Sequence, residues 1–197
     1  MVDERYGHDV YTIRRKILTL IGASFHVYDP EGRLVFFCRQ KAFKLKEDIR
    51  LFAEEAKVNE ILTMKARQII DFGATYDVFD PVANETVGSL RRKGLKSMLR
   101  DEWLFHDTDG RQIAVIREDS VGLALLRRLH PWVAMLLPQK YLVEMEGQPV
   151  CTFRQHFNPL VMKITADFTG DAEGMLDRRL GIAAGILLCA IEGKQGR

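Results

Sequence analysis

The C-terminal segment limits the fold more than any other part of this 197-residue chain. It reads DRRLGIAAGILLCAIEGKQGR, and its twelve residues 180–191 include no polar side chain. Twelve helical residues span about 18 Å, whereas the hydrocarbon core of a bilayer is about 30 Å thick, so we expect no transmembrane span. The glycines and alanines of the run disfavour a strand. The run therefore predicts a helix that is apolar on every side and is surrounded by protein.

The residues that flank this run are typical helix boundaries. Asp177 is a good N-cap, Gly193 is a good residue to follow the helix, and Lys194 complements the negative end of the helix dipole. Gly181 and Gly185 lie four positions apart and so share one helical face. We expect another part of the chain to approach that face closely.

Four stretches of the chain share one pattern, and each predicts a β-hairpin. An alternating run led by an aromatic residue is followed by a turn and by a second alternating run. An arginine follows each turn residue by seven positions: the stretches are 25–39, 76–91, 103–117 and 141–154, the turn residues Gly32, Asn84, Gly110 and Gly147, and the arginines Arg39, Arg91, Arg117 and Arg154. Four hairpins of one plan predict an antiparallel meander closed into a barrel. The arginines fit either an anion-binding ring or solvated strand ends, and we favour the second.

The segments between and after the hairpins predict further strands and helices. Composition favours a helix over residues 54–67, yet Ile49, Phe52, Ile61 and Met64 also allow two strands around a turn at 56–59. Residues 119–129 predict a short amphipathic helix that ends before Pro131, and residues 158–168 predict a final strand. Many antiparallel strands followed by one apolar helix suggest a barrel with that helix threaded through its lumen.

The motifs DPEGRLVF, KLKEDIRLF, LTMKARQ, DTDGRQIAVIRED and DRRLGIAAGILLCAIE resemble, in their order, the LURP-one-related (LOR) family. This family belongs to the tubby C-terminal-domain-like superfamily, which also includes the phospholipid scramblases. The resemblance covers roughly residues 10–193 and implies one domain over residues 1–197. It implies a mainly β fold, a closed antiparallel barrel of about twelve strands around a buried hydrophobic C-terminal helix. It also implies strands over residues 49–67.

The resemblance implies the fold more directly than the activity, and we favour a binding protein over an enzyme. Tubby-like domains bind phosphoinositide head groups through basic surface residues, whereas scramblases are calcium-dependent and lipid-linked. The first hypothesis is a protein that recognises anionic phospholipid head groups, or a protein partner, at the membrane surface. The alternatives are a scramblase-like lipid-handling protein and a soluble structural or adaptor domain without a small ligand.

The stretch SLRRKGLKSMLRDEW is the candidate site for a lipid or another anion. Five cations within ten residues alternate with apolar side chains: Arg91, Arg92, Lys93, Lys96 and Arg100. Near an anionic membrane each such cation contributes about 1 kcal/mol. The alternative is a solvated rim balanced by Asp101 and Glu102. A phosphate-binding loop is excluded, because Gly94 is not followed directly by lysine and has no glycine at the required spacing before it.

The acidic loop DFTGDAEGMLD resembles a calcium loop only in part. Asp167, Thr169, Asp171 and Glu173 occupy ligand positions, but Ala172 and Arg178 stand where such a loop requires glycine and glutamate. A turn that caps the helix is the favoured interpretation. The five histidines show no ligand spacing, and no nucleophile motif is present. We therefore predict no catalytic residue, metal or cofactor.

Composition limits the classes of binding partner and the cellular compartment that we expect. A net charge of +2 gives no argument for nucleic acid, so none is expected as a partner. Cys38, Cys151 and Cys189 are an odd number of cysteines in apolar settings, which indicates buried free thiols and a reducing compartment. No signal peptide is evident. We expect a cytoplasmic protein that is peripheral to the membrane where it binds lipid.

Overall fold

A computed structural model describes residues 3–18, 22–40, 48–67, 73–93, 102–118, 139–156 and 161–191. In this part of the chain twelve antiparallel strands form a closed barrel, in which each strand pairs with its sequence neighbours and β1 pairs with β12. A short 3-10 helix (Glu4–Tyr6) comes before the barrel, and α1 (Arg178–Ile191) follows it. The strands are β1 (Val10–Leu18), β2 (Gly22–Tyr28), β3 (Leu34–Gln40), β4 (Asp48–Phe52), β5 (Glu60–Ala66), β6 (Thr75–Asp80), β7 (Glu85–Arg92), β8 (Trp103–His106), β9 (Gln112–Glu118), β10 (Lys140–Met145), β11 (Gln148–His156) and β12 (Met162–Asp167). The predicted fold class is confirmed.

The four predicted hairpins are all present, and their turn residues explain the pattern. Gly32, Asn84, Gly110 and Gly147 have φ values of 80°, 55°, 79° and 80°. Glycine and asparagine enter this left-handed region more readily than other residues, which is why they recur at this one position. The paired strands are β2 with β3, β6 with β7, β8 with β9 and β10 with β11.

The helix that composition favours over residues 54–67 is not formed, because this region contains the connection from β4 (Asp48–Phe52) to β5 (Glu60–Ala66) and β5 itself. In the pairing of β4 with β5, Ile49 lies opposite Met64 and Leu51 lies opposite Leu62. All four side chains are fully buried. Packing of these apolar residues in the lumen outweighs the helix propensity of the glutamates, alanines and lysines between them. The helix predicted over 119–129 lies outside the described residues.

Helix α1 fills the lumen of the barrel. Residues 180–190 are all buried, as the apolar run predicted. The two glycines are points of close approach: a Cβ atom at Gly181 would lie 2.6 Å from Cζ of Phe168, and one at Gly185 would lie 2.6 Å from Cδ1 of Ile13. The strands therefore pack directly against the helix backbone at these two turns. In the described part of the chain no helix is long and apolar enough to cross a membrane.

An ion cluster holds the start of α1. The carboxylate of Asp177 accepts the backbone N–H of Arg179 at 2.9 Å, so the predicted N-cap is confirmed. The Arg179 guanidinium contacts carboxylate oxygens of Asp177, Asp80 and Glu85 at 2.7, 2.8 and 2.6 Å. Since Asp80 ends β6 and Glu85 begins β7, this cluster ties the helix to the barrel rim.

A second arginine holds the other end of α1. Arg15 projects inward from β1, is only 3% exposed, and donates from Nη1 to the carbonyl oxygen of Cys189 at 3.0 Å. The last carbonyl groups of a helix have no partner within the helix and carry partial negative charge. Arg15 donates a hydrogen bond to one of these carbonyl groups and complements the helix dipole. This contact offsets the cost of burying the polar end of the helix among apolar side chains.

We predict that Gly181→Ala destabilises the protein despite alanine being the better helix former. The propensity gain is about 1 kcal/mol, but the Phe168 ring leaves no room for the methyl group, and overpacking costs about 1–3 kcal/mol. Chemical denaturation of Gly181→Ala, Phe168→Leu and the double variant measures this. The double variant is expected to be more stable than the sum of the single effects, whereas simple additivity would contradict the close contact.

We predict that Arg179→Met lowers the free energy of unfolding by about 3 kcal/mol at pH 7, because Asp80 is left buried without its charged partner. Burial alone would raise the pKa of Asp80, but hydrogen bonds from Ala83, Arg179 and Val82 outweigh it and lower that pKa below its ordinary value of 3.8. A depressed carboxyl pKa stabilises the fold above the ordinary pKa and loses this effect as the pH falls.

The difference between wild type and Arg179→Met should therefore shrink below about pH 4. Urea denaturation at several pH values checks this, with Arg111→Met, at an exposed turn arginine, as the control. A difference that is independent of pH would contradict the role given to Asp80.

Candidate functional site

The predicted basic stretch does not form one cluster. Arg91 is exposed and has no ion pair in the described part of the chain. Arg92, next along β7, is half-buried and lies opposite the buried Trp103. Lys93 is exposed and its Nζ lies 2.8 Å from Oε2 of Glu102. Two further candidates, Lys96 and Arg100, lie outside the described residues.

Carboxylates neutralise much of the positive charge around this stretch. Glu102 contacts Lys93 and also Nε of Arg117 at 3.4 Å, while Arg117 reaches Glu144 at 3.0 Å. The hydrogen bond from Lys93, with the charge of that residue and of Arg117, lowers the pKa of Glu102 although burial opposes it. The alternative interpretation, a solvated rim balanced by Glu102, describes these residues well.

The four hairpin arginines do not converge either. All four side chains are exposed and lie on the outer surface: Arg39 on β3, Arg91 on β7, Arg117 on β9 and Arg154 on β11. In the barrel order one strand separates β7 from β9 and β9 from β11, and three strands separate β3 from β7 and from β11. Side chains that radiate from a closed barrel point apart. The favoured interpretation, solvated strand ends, agrees with this arrangement.

The structure instead brings basic side chains together across β10, β11, β12 and β1. His156 on β11 lies opposite Lys163 on β12, which lies opposite Arg14 on β1. Beside this row, Lys140 on β10 lies opposite Arg154 on β11. We call this surface the basic face; with Lys16, which shares the outer side of β1 with Arg14, its residues are Arg14, Lys16, Lys140, Arg154, His156 and Lys163.

Carboxylates are scarce on the basic face. Arg14, Lys16, Arg154 and Lys163 have no ion pair with any residue that the structure describes. Asp167 lies about 13 Å along β12 from Lys163; it is the diagonal cross-strand neighbour of Arg154 but forms no ion pair with it. Its carboxylate is hydrogen-bonded to Thr169. The opposite side of the barrel is arranged differently.

On that opposite side, outward arginines have carboxylate partners. Arg50 contacts Asp48 at 2.8 Å and Glu60 at 3.3 Å, and Arg67 contacts Asp77 at 2.7 Å. Charge pairing is therefore the rule for these arginines, whereas Arg14, Lys16, Arg154 and Lys163 form no ion pair with a described residue. The net charge of +2 conceals this asymmetry.

The basic face contains three like-charge or potentially like-charge pairs directly across strands. The Cβ atoms of such pairs are about 5 Å apart, and like charges at this distance destabilise a sheet. The same arrangement creates a positive potential that attracts anions. A surface with this charge arrangement has the chemistry that anion binding requires.

Two contacts order side chains on the basic face. The Arg14 guanidinium lies 5.0 Å from the centre of the Tyr28 ring. Nε2 of His156 lies 2.8 Å from Oγ1 of Thr165. Burial, followed by the charges of Lys163 and Arg154, lowers the pKa of His156 below its ordinary value. The ring therefore responds to the positive charge around it.

The basic face is not evident from the sequence, because its residues come from distant parts of the chain, 14–16 and 140–163. The available signal was the alternation in TIRRK and FRQH, which places Arg14 with Lys16, and Arg154 with His156, on one side of a strand. Recognising the surface also requires the pairing of β1 with β12.

The acidic loop forms the predicted capping turn. Asp171 accepts the backbone N–H groups of Met175 at 2.7 Å and Leu176 at 3.1 Å, and its Oδ2 also accepts from Arg178. Both carboxylate oxygens are thus engaged within the loop. The residues that the structure describes contain no group of three or more potential ligands able to hold a metal.

The three cysteines are buried free thiols, as predicted. Burial raises the pKa of Cys38 and of Cys189 to about 12. It also raises the pKa of Cys151 well above its ordinary value. Thiols with such pKa values stay protonated at neutral pH, which makes them poor nucleophiles.

Comparison with known proteins identifies similar sequences and folds. Residues 9–96 match the model of the LURP-one-related (LOR) family, so the resemblance inferred from the motifs is confirmed over that segment. An X-ray structure of a protein from Arabidopsis thaliana is 14% identical, covers 94% of each chain, and superposes with a TM-score of 0.46. No curated protein matches the sequence.

We predict that Lys163→Gln raises the stability of the protein. Lys163 lies between Arg14 and His156, so its removal relieves repulsion worth about 0.5 kcal/mol, an effect that salt should weaken. The matched control is Lys65→Gln, because Lys65 lies between Asp48 and Asp77 and its loss should be neutral or destabilising. Thermal unfolding at low and high salt checks this. Equal effects of the two substitutions would contradict the asymmetry.

Proposed function

We propose that this barrel is a non-enzymatic binding domain that recognises anionic phospholipid head groups at a membrane surface through the basic face. One observation carries the proposal: Arg14 lies opposite Lys163 and Lys140 lies opposite Arg154, and Arg14, Lys16, Arg154 and Lys163 have no described carboxylate partner. Bound anions would relieve the repulsion that this arrangement creates. The match of residues 9–96 to the LOR family is compatible with such a role.

The shape of the surface suits a membrane better than a small anion. The basic face extends over four adjacent strands, and neighbouring strands are about 4.8 Å apart, so the cations cover about 15 Å across the barrel. Several lipid head groups can contact such an area at once. At about 1 kcal/mol for each cation, the exposed Arg14, Lys16 and Arg154 alone would give weak, salt-sensitive binding.

The stretch with Arg91, Arg92, Lys93, Lys96 and Arg100 remains a second candidate surface. Glu102 neutralises Lys93 and Arg117, and Arg92 lies opposite the buried Trp103. Among the described residues of this stretch, Arg91 is therefore the only exposed cation without an ion pair. We place the principal contact on the basic face and use the stretch as a comparison.

Two observations argue against a scramblase-like role. Helix α1 is enclosed by strands, and Arg179 and Arg15 hold its two ends through hydrogen bonds. Insertion into a bilayer would require both sets of contacts to break. An acidic protein partner is the other occupant that the basic face would accept, and the experiment below separates it from lipid.

The test is sedimentation with vesicles of phosphatidylcholine alone or mixed with phosphatidylglycerol, at low and high salt. We expect salt-sensitive binding of wild type to the anionic vesicles only. Arg14→Gln/Lys163→Gln should bind roughly 30-fold more weakly, because two cations contribute about 2 kcal/mol. The matched control is Lys65→Gln/Arg111→Gln, which changes the net charge equally on exposed positions elsewhere and should bind like wild type.

Each other outcome has a definite meaning. No binding to either vesicle would overturn the lipid proposal and leave a protein partner or an adaptor role. An equal loss of vesicle binding in both double variants would show that binding depends on the net charge of the protein and not on the basic face. Loss in Arg91→Glu/Arg92→Glu/Lys93→Glu alone would move the site to that stretch. Salt-resistant binding to neutral vesicles would indicate that α1 inserts.

A further inference from the structure

His156 is the titratable member of the basic face. It is half-buried near the end of β11, directly opposite Lys163, and its own strand places Arg154 two residues before it on the same side. One ring nitrogen, Nε2, lies 2.8 Å from the hydroxyl oxygen of Thr165. A hydroxyl group can either donate to or accept from an imidazole, so this contact is compatible with both protonation states.

We propose that His156 makes the basic face a proton-dependent anion-binding surface: protonation of its ring adds a cation beside Lys163 and Arg154, so binding to anionic membranes tightens as the pH falls. This inference rests on the proposed function of the basic face. It adds a regulatory property that a set of lysines and arginines would lack, because those residues stay charged throughout the physiological pH range.

The charged groups around His156 determine the direction of the effect. Arg154 lies on its own strand, Lys163 on β12, Arg14 beyond it on β1, and Lys140 on β10 opposite Arg154. All four carry positive charge. Without a bound anion they oppose protonation of the ring, and burial acts in the same direction.

A bound anion reverses this balance. Negative head groups screen Lys163 and Arg154 and attract the imidazolium, so the ring binds a proton more readily in the complex than in the free protein. By linkage, a group that gains a proton on binding makes the affinity rise as the pH falls. One site allows at most about a tenfold gain for each pH unit.

A second histidine lies at the edge of the same row and has a different environment. His26 on β2 lies opposite Arg14, is 5% exposed, and its Nε2 lies 3.0 Å from Oε1 of Glu55. Its nearest charged partner is thus a carboxylate, and its ring is covered by protein. A variant of His156 leaves His26 in place, so the comparison with wild type isolates the contribution of His156.

The experiment measures vesicle binding between pH 5.5 and 8 for wild type, His156→Gln and His156→Lys. The probe is phosphatidylglycerol mixed with phosphatidylcholine, since the phosphodiester charge does not change in this range. Wild type is expected to bind about fivefold more tightly at the low end of the range, the effect of one added cation near an anionic surface. His156→Gln should lose this gain, and His156→Lys should bind tightly at both ends.

Two measurements make the outcome unambiguous. Thermal unfolding of each variant confirms that the fold is retained, and NMR titration of the His156 ring with and without vesicles should show a higher pKa in the complex. If wild type binds with the same affinity at every pH, the role of His156 is wrong and the proposed function stands. If wild type fails to bind at every pH, both are wrong. A gain that persists in His156→Gln would assign the proton to another group.

Discussion

The packing of one apolar helix inside the barrel determines the rest of the structure. Helix α1 can occupy the lumen because Gly181 and Gly185 let Phe168 and Ile13 reach its backbone. An apolar helix has polar ends, however, and here both are enclosed by the barrel. Arg179 connects the first turn to three carboxylates, and Arg15 binds a carbonyl oxygen of the last turn. The sheet thus supplies both the apolar surroundings of the helix and the charges that its ends require.

Filling the lumen in this way leaves the outer surface to carry function. Inward positions of the strands form one hydrophobic core with α1, to which the fully buried Phe25, Leu62, Phe105 and Phe153 belong. Outward positions do not have to pack in the core, and the pairing of their charges differs around the barrel. Arg67 and Asp77 neutralise each other in an ion pair, whereas Arg14 and Lys163 on the basic face repel each other. The proposed function gives this arrangement a physical reason, because a bound anion would offset the repulsion.

Much of the fold could be predicted from local signals, whereas the proposed site could not. The apolar run and the turn residues Gly32, Asn84, Gly110 and Gly147 each specify backbone structure by themselves. Residues 49–67 needed the family resemblance, because burial of Leu51 against Leu62 is a tertiary effect. The basic stretch predicted from the sequence consists of cations that are close along the chain. Consecutive residues of a strand, however, point to opposite sides. Arg91 and Arg92 therefore could not share a surface.

The basic face depends on closure of the barrel in a direct way. Arg14 belongs to the first strand and Lys163 to the last, and they meet only because β1 pairs with β12. Opening the barrel at this junction would disperse the cations and weaken any anion site. Conversely, an anion that binds both residues favours the closed barrel, and a ligand that binds only the folded form stabilises it by mass action. Under the proposed function, the repulsion within the basic face and the stability gained from a ligand are therefore linked: an anion bound across the junction of β1 and β12 would offset the repulsion between Arg14 and Lys163.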